Sequence, residues 1–243
     1  MKEYIIENKK TIIIIGIFLV VLIILSIVVK LLGNTNQLLI TAYVSKLEKE
    51  DITLEVNDCD LDYVLKYNNI PYFNLNTEVF NELNEEIFET FLLRTCYQDG
   101  EINYEASLND NILSVALNIS YATDDDLAYL EYKTYNINID ENIRMNNQDI
   151  LKRYNLTLEN VTNIVLSHLR TYYDYELEKG YINNFSFQYY LTNILNYTPI
   201  TINNMNLYID SNNDLYIYKD YTLSEGMSID EDFPYITIKF KLA

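Results

Sequence analysis

Nineteen consecutive residues, Thr11 to Val29 ("TIIIIGIFLVVLIILSIVV"), carry no charge. An α-helix needs about twenty predominantly apolar residues to cross the hydrocarbon of a bilayer. The run therefore predicts a transmembrane helix over residues 11–32, with a short segment, 1–10, ahead of it. Lys2, Lys9 and Lys10 precede the run, and only Lys30 follows it before Lys46. Positive charge collects on the cytoplasmic side of such helices, so the N-terminus is expected inside and the remainder outside. A cleaved signal peptide begins in a similar way, but its apolar core is shorter. The "KLLGNTNQ" that follows has neither a small-x-small cleavage pattern nor a lipid-accepting cysteine. The expectation is a single-pass anchor in the cell membrane, a stalk over 33–50 and an extracytoplasmic domain over 51–243.

That domain can bury a core, because the 243-residue chain is 49% hydrophobic and 14% aromatic. Its net charge of -19 excludes a nucleic-acid partner, which would need clustered Lys and Arg. The same charge keeps an exposed domain soluble and attracts basic proteins at low salt.

Hydrophobic spacing organises residues 51–243 without a repeat or a low-complexity linker. Phe80, Leu83, Ile87, Phe88, Phe91 and Leu92 recur at steps of three and four, predicting a helix from about 77 to 97. From Glu101 the texture changes to short runs rich in Ile, Val, Tyr and Thr. "NDN", "TDDD" and "DEN" separate them, too short for anything but antiparallel pairing. Tyr135, Ile137 and Ile139 alternate with Thr134, Asn136 and Asn138, which reads as a strand with one buried face. A second helix carries Leu158, Val161, Val165, Leu169 and Tyr172 on one face, between a Thr157 cap and a Gly180 stop. A shorter one follows with Phe187, Tyr190, Leu191, Ile194 and Leu195, and strands close the chain. The fold class is α+β, an antiparallel sheet with helices packed on it; one sheet shared by both halves is the expected arrangement, and a split near residue 150, with the helix pair and terminal strands as a second lobe, is the alternative.

Chemistry-bearing patterns are scarce. The one histidine, His168, sits beside Ser167 on a helix, where adjacent residues do not face each other, and there is no GxSxG elbow. No HExxH, Gly-rich phosphate loop or dinucleotide fingerprint occurs. Asp58, Asp60 and Asp62, and again Asp210, Asn212 and Asp214, have the first oxygen spacing of a calcium loop. Both lack its Gly at the sixth position and its Glu at the twelfth. No catalytic, cofactor-binding or metal-binding residue is nominated, and no cofactor is expected. Cys59 and Cys96 fall in the exported part, where oxidation is possible; a disulfide between them and two unpaired buried thiols both fit the spacing. Asp124, Asp125 and Asp126 read as a hairpin tip, and as a turn where a basic partner could be recognised.

In order along the chain, "IPYFNLNTEVFNELNEEIFETFL", "SVALNISYATDDDLAYLEYKTYNINIDENIRMNNQDIL" and "NLYIDSNNDLYIYKDYTLSEG" resemble the successive sections of one family. It is the extracytoplasmic domain shared by the lysozyme-sensing anti-sigma factor RsiV and by membrane-anchored peptidoglycan deacetylases. The resemblance covers roughly residues 51–243 and implies an α+β domain in a cell-wall setting, with muramidase binding in one branch. Two departures stand out: the middle turn lacks the family's Gly- and His-bearing sequence at Thr123–Leu127, and "DENIRM" replaces its Asp-x-x-Thr-Gly-Lys turn. With no deacetylase domain and no sigma-binding part, neither activity carries over. The expected function is an envelope binding or sensor module, not an enzyme, whose partner is a basic protein such as lysozyme or a cell-wall glycan. The alternatives are a wall-modifying enzyme using acidic residues and a structural subunit of an envelope complex.

Overall fold

The computed structural model describes residues 38–52, 59–92, 95–96, 100–122, 128–222 and 235–243. Thr11–Val29 lies outside them, and among the described residues no helix is long and apolar enough to cross a membrane. Tyr43–Ala243 forms one compact unit, α+β with every strand pair antiparallel.

The unit begins eight residues before the expected boundary. Strand β1, Val44–Lys46, lies in what was expected to be stalk, yet it pairs with β2, Pro71–Phe73. Val44 and Leu47 are buried, and the Leu47 amide donates to the Ile70 carbonyl at 2.7 Å. Apolar residues that suit a helix face in isolation are claimed here by a partner strand remote in sequence. The other edge of β2 is closed by a side chain: Asn84 accepts from the Phe73 amide at 2.8 Å and donates to the Phe73 carbonyl at 2.9 Å, imitating a neighbouring strand.

Asn84 is carried by the helix Glu78–Ile87, whose N-terminus is capped by the Thr77 hydroxyl. The expected single α-helix to about 97 gives way to a π-helical turn at Phe88–Leu92, in which Phe88, Phe91 and Leu92 are all buried. Its i→i+5 bonding places an extra residue in the turn, which brings neighbouring phenylalanines to the core together. The long helix, Leu158–Lys179, starts at a reciprocal Thr157/Asn160 cap and stops at Gly180, whose φ of 72° suits glycine. Its buried stripe is Val161, Val165, Leu169 and Tyr173; Leu158 and Tyr172, expected on that face, are 38% and 49% exposed. A rotation of one residue at the end of the helix exchanges one tyrosine for the next. Non-glycine turns rely on asparagine and aspartate: Asp110, Asn142, Asn155, Asn196 and Asn213 all have positive φ, a conformation these two residue types tolerate better than most.

Among the described residues the two halves do not share one sheet. β3 (Gly100–Asn109), β4 (Ile112–Ala122), β5 (Ala128–Asn138) and β6 (Ile143–Arg144) form one sheet; β7 (Asn206–Ile209), β8 (Leu215–Thr222) and β9 (Tyr235–Lys241) form another. On the first, Ile102, Leu113, Val115, Leu117, Tyr135 and Ile137 make one apolar face, with the Tyr135 ring 6.2 Å from Phe73. On the second, Leu207, Ile209, Leu215, Ile217 and Phe240 join the core that includes Ile150, Val161, Val165 and Leu169.

The remaining faces meet each other. β7 is an edge strand, and its outward main-chain groups lie on the polar face of the first sheet. Asn136 Nδ2 donates to the Leu207 carbonyl at 2.8 Å, and the Ser114 hydroxyl accepts from the Ile209 amide at 3.0 Å. Ser114 in turn donates to Asn136 Oδ1 at 2.6 Å, and Ser107 donates to the Ile209 carbonyl. These three polar residues are 1%, 0% and 4% exposed for Ser107, Ser114 and Asn136. The expectation that Asn136 lies on a solvent face is therefore corrected. A buried strand edge must have its N–H and C=O groups paired, and here side chains take the place of a strand.

Candidate functional site

The polar face of the first sheet is ordered in rows set by strand register. Ser107, Ser114 and Asn136 form the row under β7; Glu105, Ala116 and Thr134 form the next, and Asn103, Asn118 and Tyr132 the one after. Beyond the edge of β7 the face opens into a groove of about 340 Å³, walled on the far side by Tyr218 and Lys239 of the second sheet. Ala116 is among its lining residues and is itself buried in a small cluster with Tyr208 and Tyr218.

The tyrosine wall is built across the two sheets. Tyr132 and Tyr218 stack nearly parallel, 4.4 Å between centroids and 11° between planes. Lys239 Nζ lies 5.2, 4.7 and 5.1 Å from the ring centres of Tyr208, Tyr216 and Tyr218, within range of a cation–π attraction to each. The same ammonium is 3.0 Å from Glu105 Oε1, which also accepts from the Tyr218 hydroxyl. Burial, and then the bond to Glu105, hold the Tyr218 phenol well above its ordinary range. It stays a neutral donor at physiological pH. Glu105 and Lys239 offset each other, so the groove presents oriented polar groups without strong net charge.

A second cleft, about 350 Å³, lies between β5, β6 and the segment Ile202–Asn206, and is lined mainly by amides. Asn136 and Asn147 are committed to main-chain carbonyls: Asn147 Nδ2 reaches those of Ile202 and Met205 at 2.8 and 2.9 Å. Its cations, Lys133 and Arg144, are 3.5 and 2.8 Å from Glu86, to which the Tyr135 hydroxyl also donates. Burial pushes the Glu86 carboxyl up, but the charges of Arg144 and Lys133 and the hydrogen bonds outweigh it and leave the group below the ordinary carboxylate range. A depressed folded pKa contributes stability that is present above the unfolded value, about 4.3 for Glu, and is lost as pH falls through the folded one. Glu86→Gln is therefore expected to unfold with a shallower acid dependence than the parent below that value. Parallel slopes in thermal melts across the acid range would contradict the assignment.

The residues singled out from sequence are placed as follows. Cys59 and Cys96 are joined by a disulfide. Asp124, Asp125 and Asp126 lie outside the described residues, between the paired Ala122 and Ala128 of β4 and β5. His168 is exposed, with its ring 5.0 Å from Phe240. Asp210 Oδ1 accepts from the amides of Asn212 and Asp214, both at 2.9 Å, which makes this segment a side-chain-closed turn. Asp60 caps the helix Leu61–Tyr67, and Asp62 pairs with Lys49 at 2.7 Å. Among the described residues no group of three or more His, Cys, Asp or Glu could hold a metal ion.

The groove residues were not legible as a motif, since they come from five strands. The available signal was the alternation of Tyr216 and Tyr218 with Leu215 and Ile217, in a strand where Leu215, Ile217 and Tyr218 are buried and Tyr216 is half-buried. No protein-family model matches the chain, and no curated protein matches it. The fold and groove define a class: an α+β domain in which two antiparallel sheets meet, leaving a tyrosine-walled groove between them.

Proposed function

We propose that the chain is a binding module of the bacterial cell envelope. In this reading Thr11–Val29 holds it in the membrane and the Tyr43–Ala243 unit is presented outside. The observation that carries it is the groove at Tyr132, Tyr218, Glu105 and Lys239, a concave site with an aromatic wall and a few oriented polar groups, as small-ligand sites usually have. The apolar N-terminal run, the net charge of -19 and the ordered resemblance to the extracytoplasmic domain of RsiV and wall deacetylases support the setting.

The rival reading, a wall-modifying enzyme working through paired acids, needs two carboxylates facing one bond at about 5–10 Å. Glu105 is the single carboxylate among the lining residues of the groove, and it is bonded to both Lys239 and Tyr218. The binding reading is tested by sedimenting purified wall fragments with the full detergent-solubilised chain, and by a parallel pull-down with lysozyme. Retention by at least one at low salt is expected. Retention by neither removes the proposal.

A further inference from the structure

The cleft between β5, β6 and the segment Ile202–Asn206 carries a charge opposite to that of the chain. Asp and Glu outnumber Lys and Arg by 36 to 17 in the sequence, yet the lining of this cleft includes Lys133 and Arg144 and no carboxylate. Glu86, which is not among the lining residues, is the acid paired with both cations. One carboxylate shared by two cations leaves a surplus positive charge at the cleft. The donors on those cations are largely unused. Arg144 gives Glu86 one hydrogen bond, from Nη1 at 2.8 Å, out of the five N–H groups a guanidinium has. Its Cζ lies 5.0 Å from the centre of the buried Tyr135 ring, a cation–π contact that restrains it. Lys133 Nζ is 3.5 Å from Glu86, an ion-pair distance longer than a normal hydrogen bond. The side-chain amides of Gln148, Asn203 and Asn206 and the Thr134 hydroxyl line the same cleft. Among the described residues none of these four side chains bonds to another protein group.

A surplus positive charge beside unengaged amides, each with both donors and an acceptor, is the complement of a short peptide with a free carboxylate. The carboxylate can take a charge-assisted pair of N–H bonds from a guanidinium, and the peptide groups can exchange donors and acceptors with the amides. Half-buried Met145 and Ile202 add apolar surface for small side chains. A neutral ligand would leave the surplus charge unmatched. A polyanion would match it, but the rest of a chain at -19 repels one. A purely apolar ligand would cover the amides without giving them partners. We infer that this cleft binds a short peptide through its terminal carboxylate, held by Arg144 and Lys133, with its amide groups on Asn203, Asn206 and Gln148. The cleft shares no lining residue with the tyrosine groove, and the inference goes beyond the reading given for that groove.

The probes are N-acetyl-dialanine as the free acid, in its all-L and all-D forms, and the same two compounds as carboxamides. They are titrated against the full chain in detergent at low salt and followed by ligand-observed NMR. Binding in the millimolar range or tighter is expected for at least one acid, about tenfold tighter than for its carboxamide. Lys133→Gln and Arg144→Gln should each weaken the acid by roughly threefold or more and leave the carboxamide unchanged. Asn203→Asp, which keeps the side-chain size at an exposed position and adds a negative charge to the cleft, should weaken the acid as well, with an unchanged melting temperature. That variant breaks no side-chain bond among the described residues, so the test stays decisive if Arg144→Gln fails to fold.

No binding of either acid by the parent overturns the inference. Equal binding of acid and carboxamide does so too, as does an affinity that Lys133→Gln and Asn203→Asp both leave unchanged. The envelope reading is judged separately. A chain that ignores both acids but is retained by wall fragments or lysozyme loses the peptide site and keeps its envelope role; one that binds an acid but is retained by neither keeps the site and loses that role.

Discussion

Replacing Asn136 with alanine is expected to destabilise the domain by about 2–4 kcal/mol, measured as a shift in urea or thermal unfolding. The change deletes one donor and one acceptor at a site only 4% exposed. It leaves the Leu207 carbonyl without its 2.8 Å donor and the Ser114 hydroxyl without its 2.6 Å acceptor. A buried polar group stripped of its partner costs about 1–3 kcal/mol, and two are stripped here. Ser114→Ala should cost less by itself, since it orphans the Ile209 amide and Asn136 Oδ1 but removes a smaller group. The double variant should cost less than the sum of the two, because the residues bond to each other. A loss below ~0.5 kcal/mol for Asn136→Ala, the range of ordinary surface changes, would show that β7 does not depend on side chains to satisfy its edge.

The second large effect is expected at the disulfide. Cys59 and Cys96 are 37 positions apart, and closing a loop of that length removes unfolded-chain entropy worth about 4 kcal/mol in the chain-entropy account. The bond ties Cys59, just ahead of the Asp60 cap of the helix Leu61–Tyr67, to Cys96, beyond the segment Glu78–Leu92. It thus encloses β2, the Asn84 clamp and the buried phenylalanines. The paired substitution Cys59→Ser, Cys96→Ser should lower the unfolding free energy by a large part of that amount. Reductant should do the same to the parent and nothing further to the variant. Equal stability of parent and variant in oxidising buffer would mean that the crosslink constrains little.

The first of these effects bears on the groove. Asn136 holds β7 on the first sheet, and the second sheet brings Tyr218 and Lys239 over Ala116. If the proposed binding reading holds, a variant loosened at Asn136 is therefore expected to be retained less well by wall fragments or lysozyme, without any change at the rim.

Local structure was largely readable in the chain. The helix stripes at Phe80, Leu83 and Ile87 and at Val161, Val165 and Leu169 follow from steps of three and four. The Thr157 cap and the Gly180 stop follow from side-chain and backbone chemistry, and the antiparallel hairpins from connections too short for crossovers. These depend on neighbours within a few residues, so the linear order contains the information. The misplacements share one cause. Val44, read as part of a stalk, is a strand because Phe73 lies opposite it. Tyr173 rather than Tyr172 is buried because the core lies on that side.

Asn136 and the groove show the limit most clearly. Alternation marks which side chains share a face, and it placed Thr134, Asn136 and Asn138 together. Whether that face meets water or another sheet is decided by a strand some seventy positions away, through the bond from Asn136 to Leu207. The sequence by itself determined an α+β domain with a hydrophobic core, a strong negative charge and an uncharged apolar run near its start. Only the tertiary structure decided that two sheets meet through polar faces, and so where Tyr132, Tyr218, Glu105 and Lys239 converge. Strand register and sheet packing are long-range choices among surfaces that look alike locally, and their energies come from contacts that exist only once the chain has folded.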